Sequence, residues 1–155
     1  MKQLKSLYIQ NRFFYVCIGI IILYVLSFIV PVLLDITSLL LVVLLGLVVL
    51  DLLVLYSSKK GLTGSRNTPE KFSNGDQNEV SVKLQNYYSI PLFISVIDEI
   101  PEQFQVRDFK IDKKMKPLSE LQLTYKLRPT ERGEYHFGHL NVYTKTPFGL
   151  IAKRY

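Results

Sequence analysis

Residues 13–34 read "FFYVCIGIIILYVLSFIVPVLL", and residues 36–56 read "ITSLLLVVLLGLVVLDLLVLY". A helix needs about 20 apolar residues to cross the roughly 30 Å hydrocarbon layer of a bilayer, so each run is long enough to span. The first run is longer than the apolar region of a secretory signal peptide, which has about 7–15 residues, and no small-residue cleavage pattern follows it. The sequence therefore predicts a hairpin of transmembrane helices at 13–34 and 39–56, joined by a short outer loop at 35–38.

The charges around the two runs predict the orientation of the hairpin. The basic residues on the outer flanks are Lys2, Lys5 and Arg12 before the first run, and Lys59, Lys60, Arg66 and Lys71 after the second. The connection holds Asp35 and no basic residue. Because short loops rich in Lys and Arg stay on the cytoplasmic side, residues 1–12 and the region after the second helix are expected in the cytoplasm.

Composition excludes several classes of function. The 155 residues carry 19 Lys or Arg and 13 Asp or Glu, a formal net charge of +6. Basic residues beside a membrane favour anionic headgroups, which makes the lipid bilayer an expected partner. They are not concentrated on a face with stacking aromatics, so no nucleic-acid partner is predicted. The one cysteine, Cys17, lies in the first apolar run, which leaves the rest of the chain without a disulfide framework or a thiolate metal site.

Beyond a short polar linker at 57–65, the hydrophobic pattern changes to alternation by two. In "EVSVKLQN", Val80, Val82 and Leu84 fall on one face, as expected of a half-buried strand. The same pattern recurs at Leu121, Leu123, Tyr125 and Leu127. Turn residues interrupt the chain at short intervals, and no long amphipathic helix is predicted. Residues 66–155 are therefore predicted to form a cytoplasmic, immunoglobulin-like antiparallel β-sandwich, although the chain has no Trp and cannot have the Cys-Trp-Cys core of antibody domains.

A change of strand phase marks the C-terminal part of this domain. Tyr135 and Phe137 alternate with polar residues and are predicted to face the core, whereas the apolar positions after them are Leu140 and Val142. A slip of one residue next to a glycine is typical of a β-bulge, so a bulge is predicted at 138–139.

Two turns flank this segment. Arg132 and Gly133 follow a proline and predict a turn before the aromatic residues. In "KTPFG", Pro147 fixes φ and Gly149 can adopt positive φ, which predicts a second turn before a last strand, "LIAKRY". We interpret Arg132, Gly133, Tyr135, Phe137, Gly138, Pro147 and Gly149 as determinants of folding.

No group of residues predicts catalysis. Asp98 and Glu99 are adjacent, and neighbouring side chains of a strand point to opposite faces. His136 and His139 have no carboxylate or thiolate at a spacing suited to a metal site. The basic run at 110–116 is interpreted as a solvated loop. The sequence thus predicts a protein that is not an enzyme, with no catalytic, cofactor-binding or metal-binding residues.

Asp51 is the one carboxylate inside the second apolar run. An acidic group at membrane depth is costly and indicates a function by default. Two interpretations remain open: a structural role, in which Asp51 pairs helices or reaches Lys59 or Lys60, and a role as the working group of a small enzyme or transport subunit.

The order of motifs resembles the N-terminal part of the domain of unknown function 58 family, membrane proteins associated with MoxR-type AAA+ ATPases. The sequence elements that carry the resemblance are "FSNGD", "VSVKLQN", "VIDEIP" and "RGEYHFGHLNVYTKTPFGL". The matching residues are Arg66, Pro69, Gly75, Asp76, Asn86, Asp98, Pro101, Arg132, Gly133, Tyr135, Phe137, Gly138, Pro147, Phe148, Gly149 and Leu150.

The resemblance implies a bacterial protein of the cytoplasmic membrane that serves as a scaffold for an AAA+ ATPase acting on envelope or membrane-associated assemblies. Members of that family continue into a von Willebrand factor A-like region, so this chain is expected to be the anchor and sandwich portion, as a fragment, an interrupted reading frame or a short natural form. An outward-facing adhesion module remains an alternative and requires the opposite topology.

Overall fold

The computed structural model describes residues 6–58 and 60–155, so the predictions made for Lys2, Lys5 and Lys59 lie outside the described residues. Within this part, the chain divides into two units. The helical unit contains residues 6–58 and 145–153, and the β unit contains residues 60–144 and 154–155.

Two apolar helices fill most of the helical unit. The first helix, α1, covers Asn11–Ser27, and the second, α2, covers Val32–Ser57. At 1.5 Å per residue, the 26 residues of α2 extend about 39 Å, enough to cross a bilayer. The 17 residues of α1 extend only about 25 Å, less than the hydrocarbon layer. The predicted pair of apolar helices is confirmed, and one of them is long enough to span.

The turn between the helices lies earlier than predicted. It covers residues 28–31, whereas the sequence placed an outer loop at 35–38. Pro31 lacks an N–H group and cannot continue α1, but it is suited to the start of the next helix, where the first N–H groups have no partner in any case. Asp35 consequently lies in the first turn of α2, where a negative charge is favourable at the positive end of the helix dipole.

A short strand that the sequence did not predict precedes α1. Strand β1, Leu7–Ile9, pairs antiparallel with strand β8, Ile151–Arg154, with Tyr8 opposite Ala152. The backbone N–H of Gln10 then donates to the carbonyl of Leu150 at 3.0 Å. Residues predicted to be a plain cytoplasmic tail are thus part of a small β structure.

The β unit contains the remaining strands. Three of them form an antiparallel sheet in the order β2 (Leu62–Asn67), β3 (Asn78–Asn86) and β6 (Glu120–Leu127). The others are neighbours in the order β7 (Leu140–Lys145), β4 (Leu92–Asp98) and β5 (Lys110–Met115). A single 3-10 turn, Glu102–Phe104, follows β4. The prediction of antiparallel β-sheets after the helices is confirmed at this level.

The core of the β unit follows the predicted alternation. Val80, Val82 and Leu84 of β3 are all buried, and so are the inward residues Leu123, Tyr125 and Leu127 of β6. In β4 three successive residues, Ile94, Ser95 and Val96, are buried, which fits the continuously apolar sequence of this strand. Together they form one cluster, the hydrophobic core of this unit.

Three local predictions were wrong. Strand β2 begins at Leu62, inside the segment predicted to be a linker, because Leu62 is buried and the strand pairs along its whole length with β3. The basic run at 110–116 contains strand β5, whose residues pair with β4. Residues 134–137 form no strand, although Tyr135 and Phe137 do pack against the core as predicted.

Candidate functional site

The carboxylate of Asp51 is the centre of the candidate site. Asp51 lies in the second-to-last turn of α2 and is fully buried. One carboxylate oxygen accepts a hydrogen bond from the hydroxyl of Thr146. The other accepts hydrogen bonds from the backbone N–H groups of Leu150, at 3.0 Å, and Ile151, at 3.3 Å. We call these four residues, Asp51, Thr146, Leu150 and Ile151, the Asp51 clamp.

The turn that meets Asp51 is the predicted "TPFG" turn. Gly149 has φ of +66°, a conformation that side chains with a Cβ rarely adopt, so the prediction of positive φ is confirmed. A Cβ at this position would also lie 3.2 Å from a guanidinium nitrogen of Arg12. The hydroxyl of Thr146 accepts a hydrogen bond from the N–H of Gly149 at 3.4 Å while it donates to Asp51. One side chain therefore closes the turn and attaches it to the helix.

An apolar cluster surrounds the clamp within the helical unit. Its buried members are Ile20, Leu44, Leu55, Leu150 and Ile151. At the end of α2, the ammonium group of Lys153 donates to the carbonyl oxygen of Leu55 at 3.0 Å and lies 4.5 Å from the ring centre of Tyr56. A cation at this end satisfies a helix carbonyl and complements the helix dipole.

In the clamp, both carboxylate oxygens of Asp51 accept hydrogen bonds. An ionised carboxylate can only accept hydrogen bonds, and the three groups that face Asp51 all donate. A proton carrier must exchange its proton with water or with another titratable group, whereas these three donors are a hydroxyl and two amides. The structure thus brings together two features that are far apart in the sequence, the acid within the apolar helix α2 and the Pro147–Gly149 turn.

The two other acidic residues singled out in the sequence have structural contacts in the β unit. Asp98 is buried and forms an ion pair with Arg66, and it accepts a hydrogen bond from the hydroxyl of Tyr125. Arg66 also donates to the carbonyl of Gly138 at 3.0 Å and stacks on the ring of Phe137 at 4.6 Å. Burial, together with the hydrogen bond to Asp98, raises the pKa of the Tyr125 hydroxyl above its usual value, so this group stays protonated as a donor.

Glu99 points away from Asp98 and organises the next segment. Its carboxylate accepts hydrogen bonds from the backbone N–H of His139, at 2.8 Å, and from the amide of Asn141, at 2.9 Å. These two donors hold the pKa of Glu99 below its usual value, since they stabilise the charged form. Asp98 and Glu99 therefore contact different groups, as expected for neighbouring side chains that point in opposite directions from an extended chain.

The predicted bulge is confirmed by the backbone around Glu99. The N–H of Gly138 donates to the carbonyl of Glu99 at 2.9 Å, and the N–H of Glu99 donates to the carbonyl of His139 at 3.2 Å. Two residues on one side thus face one residue on the other, as in a β-bulge. A Cβ at Gly138 would overlap the side chain of Glu99, which explains the glycine.

The remaining predicted residues do not form a common site. Tyr135 and Phe137 belong to an aromatic group with Phe72 and Phe104, in which the rings of Phe104 and Tyr135 lie 4.7 Å apart. Arg132 and Gly133 are exposed, and a Cβ at Gly133 would meet no atom within 4 Å. His136 is exposed beside Glu134. Among the residues that the structure describes, no three His, Cys, Asp or Glu side chains are grouped as metal ligands.

The partners of Asp51 did not stand out in the sequence. Thr146 had one usable signal, a hydroxyl next to a turn that follows the last long strand. The N–H groups of Leu150 and Ile151 had none, because every non-proline residue carries one.

Comparisons with known proteins identify no family for this chain. The chain matches no protein-family model, and no curated protein matches it. The resemblance to the domain of unknown function 58 family stays a prediction, so any function has to be argued from the geometry of the residues.

Proposed function

We propose that this chain is a non-enzymatic, membrane-anchored scaffold. In this proposal α1 and α2 form a hairpin in the bacterial cytoplasmic membrane with both ends in the cytoplasm. The β unit is an immunoglobulin-like sandwich that presents a surface to a MoxR-type AAA+ ATPase acting on envelope or membrane-associated assemblies. The observation that carries the proposal is the Asp51 clamp.

The clamp supports an anchoring role because it fixes a distant part of the chain to the membrane-capable helix. Thr146 and Ile151 are 95 and 100 residues from Asp51 in sequence. A buried carboxylate is unfavourable unless hydrogen bonds compensate it. The hydrogen bonds that compensate Asp51 all come from one turn, so they attach that turn to the helix. The result is a rigid joint between α2 and strand β8, which is what an anchor needs and what a carrier of protons or ions does not.

The contacts of the other acids favour the same role. Asp98 is paired with Arg66, and Glu99 holds the bulge through His139 and Asn141. Each of these carboxylates completes a structural contact. The alternative of a transport or enzyme subunit that works through Asp51 has no contact in its favour, since both oxygens of Asp51 are engaged by the turn.

The proposed topology is tested by labelling single cysteines in cells. In a Cys17→Ser background, Ser73→Cys places an exposed thiol in the β unit, and Val30→Cys places one in the turn between the helices. With a membrane-impermeant maleimide, we expect Val30→Cys to react in intact cells and Ser73→Cys to react only after lysis. The reverse pattern would establish an outward-facing β unit and support the adhesion alternative.

The proposed partner is tested by purification of the chain from native membranes through an N-terminal tag. We expect an AAA+ ATPase to co-purify with the wild type, with Asp51→Asn and with the matched control Asp35→Asn, the exposed carboxylate of the same helix. In this proposal the ATPase contacts the β unit, so an isosteric substitution in α2 leaves the recovery of the ATPase unchanged. Recovery of the wild-type chain without any ATPase contradicts the proposal.

A further inference from the structure

We infer that the tip of the "TPFG" turn, Pro147 and Phe148, is a second point of contact with the membrane and inserts at the boundary between lipid headgroups and acyl chains. This inference concerns residues of the helical unit alone. It rests on the proposed function in one respect, that α2 spans a bilayer.

The depth of the turn follows from the length of α2. The exposed carboxylate of Asp35, in the first turn of α2, marks the outer edge of the hydrocarbon layer in the proposed hairpin. The 16 residues from Asp35 to Asp51 rise about 24 Å, out of the roughly 30 Å of that layer. Asp51 therefore lies within about 6 Å of the inner edge of the layer, and its hydrogen bonds hold the turn at the same level.

The turn exposes its apolar side chains and buries its polar one. Thr146 is 2% exposed and bonded to Asp51, whereas Phe148 is 52% exposed and Pro147 is exposed beside it. Aromatic side chains are enriched at the level of the headgroups, where a ring can leave water without entering the centre of the bilayer. An exposed phenylalanine on a rigid turn at this level is suited to that layer.

Two neighbouring features indicate that lipid is what contacts the tip of the turn. The exposed surface of α2 beside the clamp is apolar at Val49, Leu50 and Leu53, so the turn continues a surface that faces acyl chains in the proposed hairpin. The guanidinium of Arg12 is exposed and lies against Gly149 at the base of the turn. A cation in this position can reach lipid phosphate while its stem lies along apolar surface.

The absence of Trp from the chain permits a direct test. Phe148→Trp gives a single tryptophan at the tip, and the matched variant Leu45→Trp gives one at an exposed position in the middle of α2. Each full-length variant is reconstituted in phosphatidylglycerol–phosphatidylcholine vesicles whose acyl chains carry bromine either near the headgroup or near the terminal methyl. A soluble tryptophan amide in the same vesicles provides the unquenched reference.

We expect Phe148→Trp to lose fluorescence mainly to bromine near the headgroup, with blue-shifted emission, and Leu45→Trp to lose it mainly to deep bromine. If Leu45→Trp is quenched while Phe148→Trp behaves as the soluble reference, the turn lies in water and the inference is overturned, but the spanning helix stands. If neither is quenched, α2 does not span and both proposals fail. Pro147→Trp provides a second reporter at the tip, and it must give the same depth as Phe148→Trp.

Discussion

The two units each bury an aspartate, and they compensate it in different ways. In the helical unit, Asp51 accepts from three neutral donors, the hydroxyl of Thr146 and two backbone amides. In the β unit, Asp98 is held by the cation Arg66 and by the phenol of Tyr125. The first arrangement brings no second charge into an apolar helix. The second one needs its cation, because a buried carboxylate without a partner is strongly unfavourable.

This difference determines what a mutation does to each unit. Loss of one neutral donor leaves two others on Asp51, whereas loss of Arg66 leaves Asp98 with a charge that only a phenol compensates.

The largest effect is expected for Arg66→Met. Removing one partner of a buried ion pair typically costs about 3–5 kcal/mol, because the other charge stays buried. We expect this loss in the free energy of unfolding of the β unit, measured on the full chain in detergent by urea titration with tyrosine fluorescence.

The matched control is Lys110→Met. Lys110 pairs with Asp112 at 3.1 Å, but both side chains are at least half exposed, and such pairs contribute at most about 1 kcal/mol. Equal effects of the two substitutions would mean that Asp98 does not depend on its cation.

An intermediate effect is expected for Asp51→Asn. The amide keeps the shape of the carboxylate but turns an NH₂ group towards a donor, and an unsatisfied buried polar group costs about 1–3 kcal/mol. We expect the substitution to loosen the turn of the clamp without unfolding the chain. Amide hydrogen exchange at Leu150 and Ile151 should then become about 5- to 150-fold faster, which is the rate ratio that corresponds to about 1–3 kcal/mol.

Asp35→Asn in the first turn of α2 controls for the loss of charge, since Asp35 is exposed. Unchanged protection of residues 150–151 in Asp51→Asn would contradict the clamp as the joint between helix and strand.

The bulge provides a third prediction. A Cβ at Gly138 overlaps the side chain of Glu99, whereas a Cβ at Gly133 meets nothing within 4 Å. Overpacking costs about 1–3 kcal/mol, and we expect a cost in this range for Gly138→Ala, because the overlap includes the Cβ of Glu99, which cannot turn aside as the end of the side chain can. Gly133→Ala should leave the urea midpoint unchanged. If both substitutions lower the urea midpoint equally, the overlap with Glu99 does not explain the glycine at position 138.

The smallest effect concerns pH. The pKa of Glu99 lies below the value of 4.5 that is usual for this group, because His139 and Asn141 stabilise its carboxylate. The charged form is therefore favoured by folding, and its contribution is present above pH 4.5 and lost as the pH falls through the lowered pKa. Glu99→Gln should flatten the acid side of the stability profile of the β unit. An unchanged slope would contradict a role for the two donors.

Much of the fold could be predicted from local patterns. The apolar composition predicted α1 and α2, and the period-two alternation predicted β3 and β6 with the correct residues inside. The turn at 28–31 was missed because the sequence is equally apolar on both sides of it, so that Asp35 was a misleading marker. Strand β5 was missed because its lysines mask the pairing with β4.

The site was predicted only as separate parts. Asp51 stood out because a carboxylate is rare in an apolar helix, and Gly149 stood out because its turn needs positive φ. Their contact could not be predicted, since it depends on how strand β8 returns to α2 and no local pattern encodes that return. The ion pair of Arg66 and Asp98 was missed for the same reason, because it links β2 to β4, which are 32 residues apart at these positions.

The separation of Asp51 from its donors also has a consequence for biosynthesis. Helix α2 leaves the ribosome before Thr146 and Ile151, which lie 95 and 100 residues further along the chain, have been made. At about 5–20 residues per second, this delay lasts roughly 5–20 seconds. During that time the aspartate of α2 has none of its final partners, and the clamp closes only when strand β8 has been made.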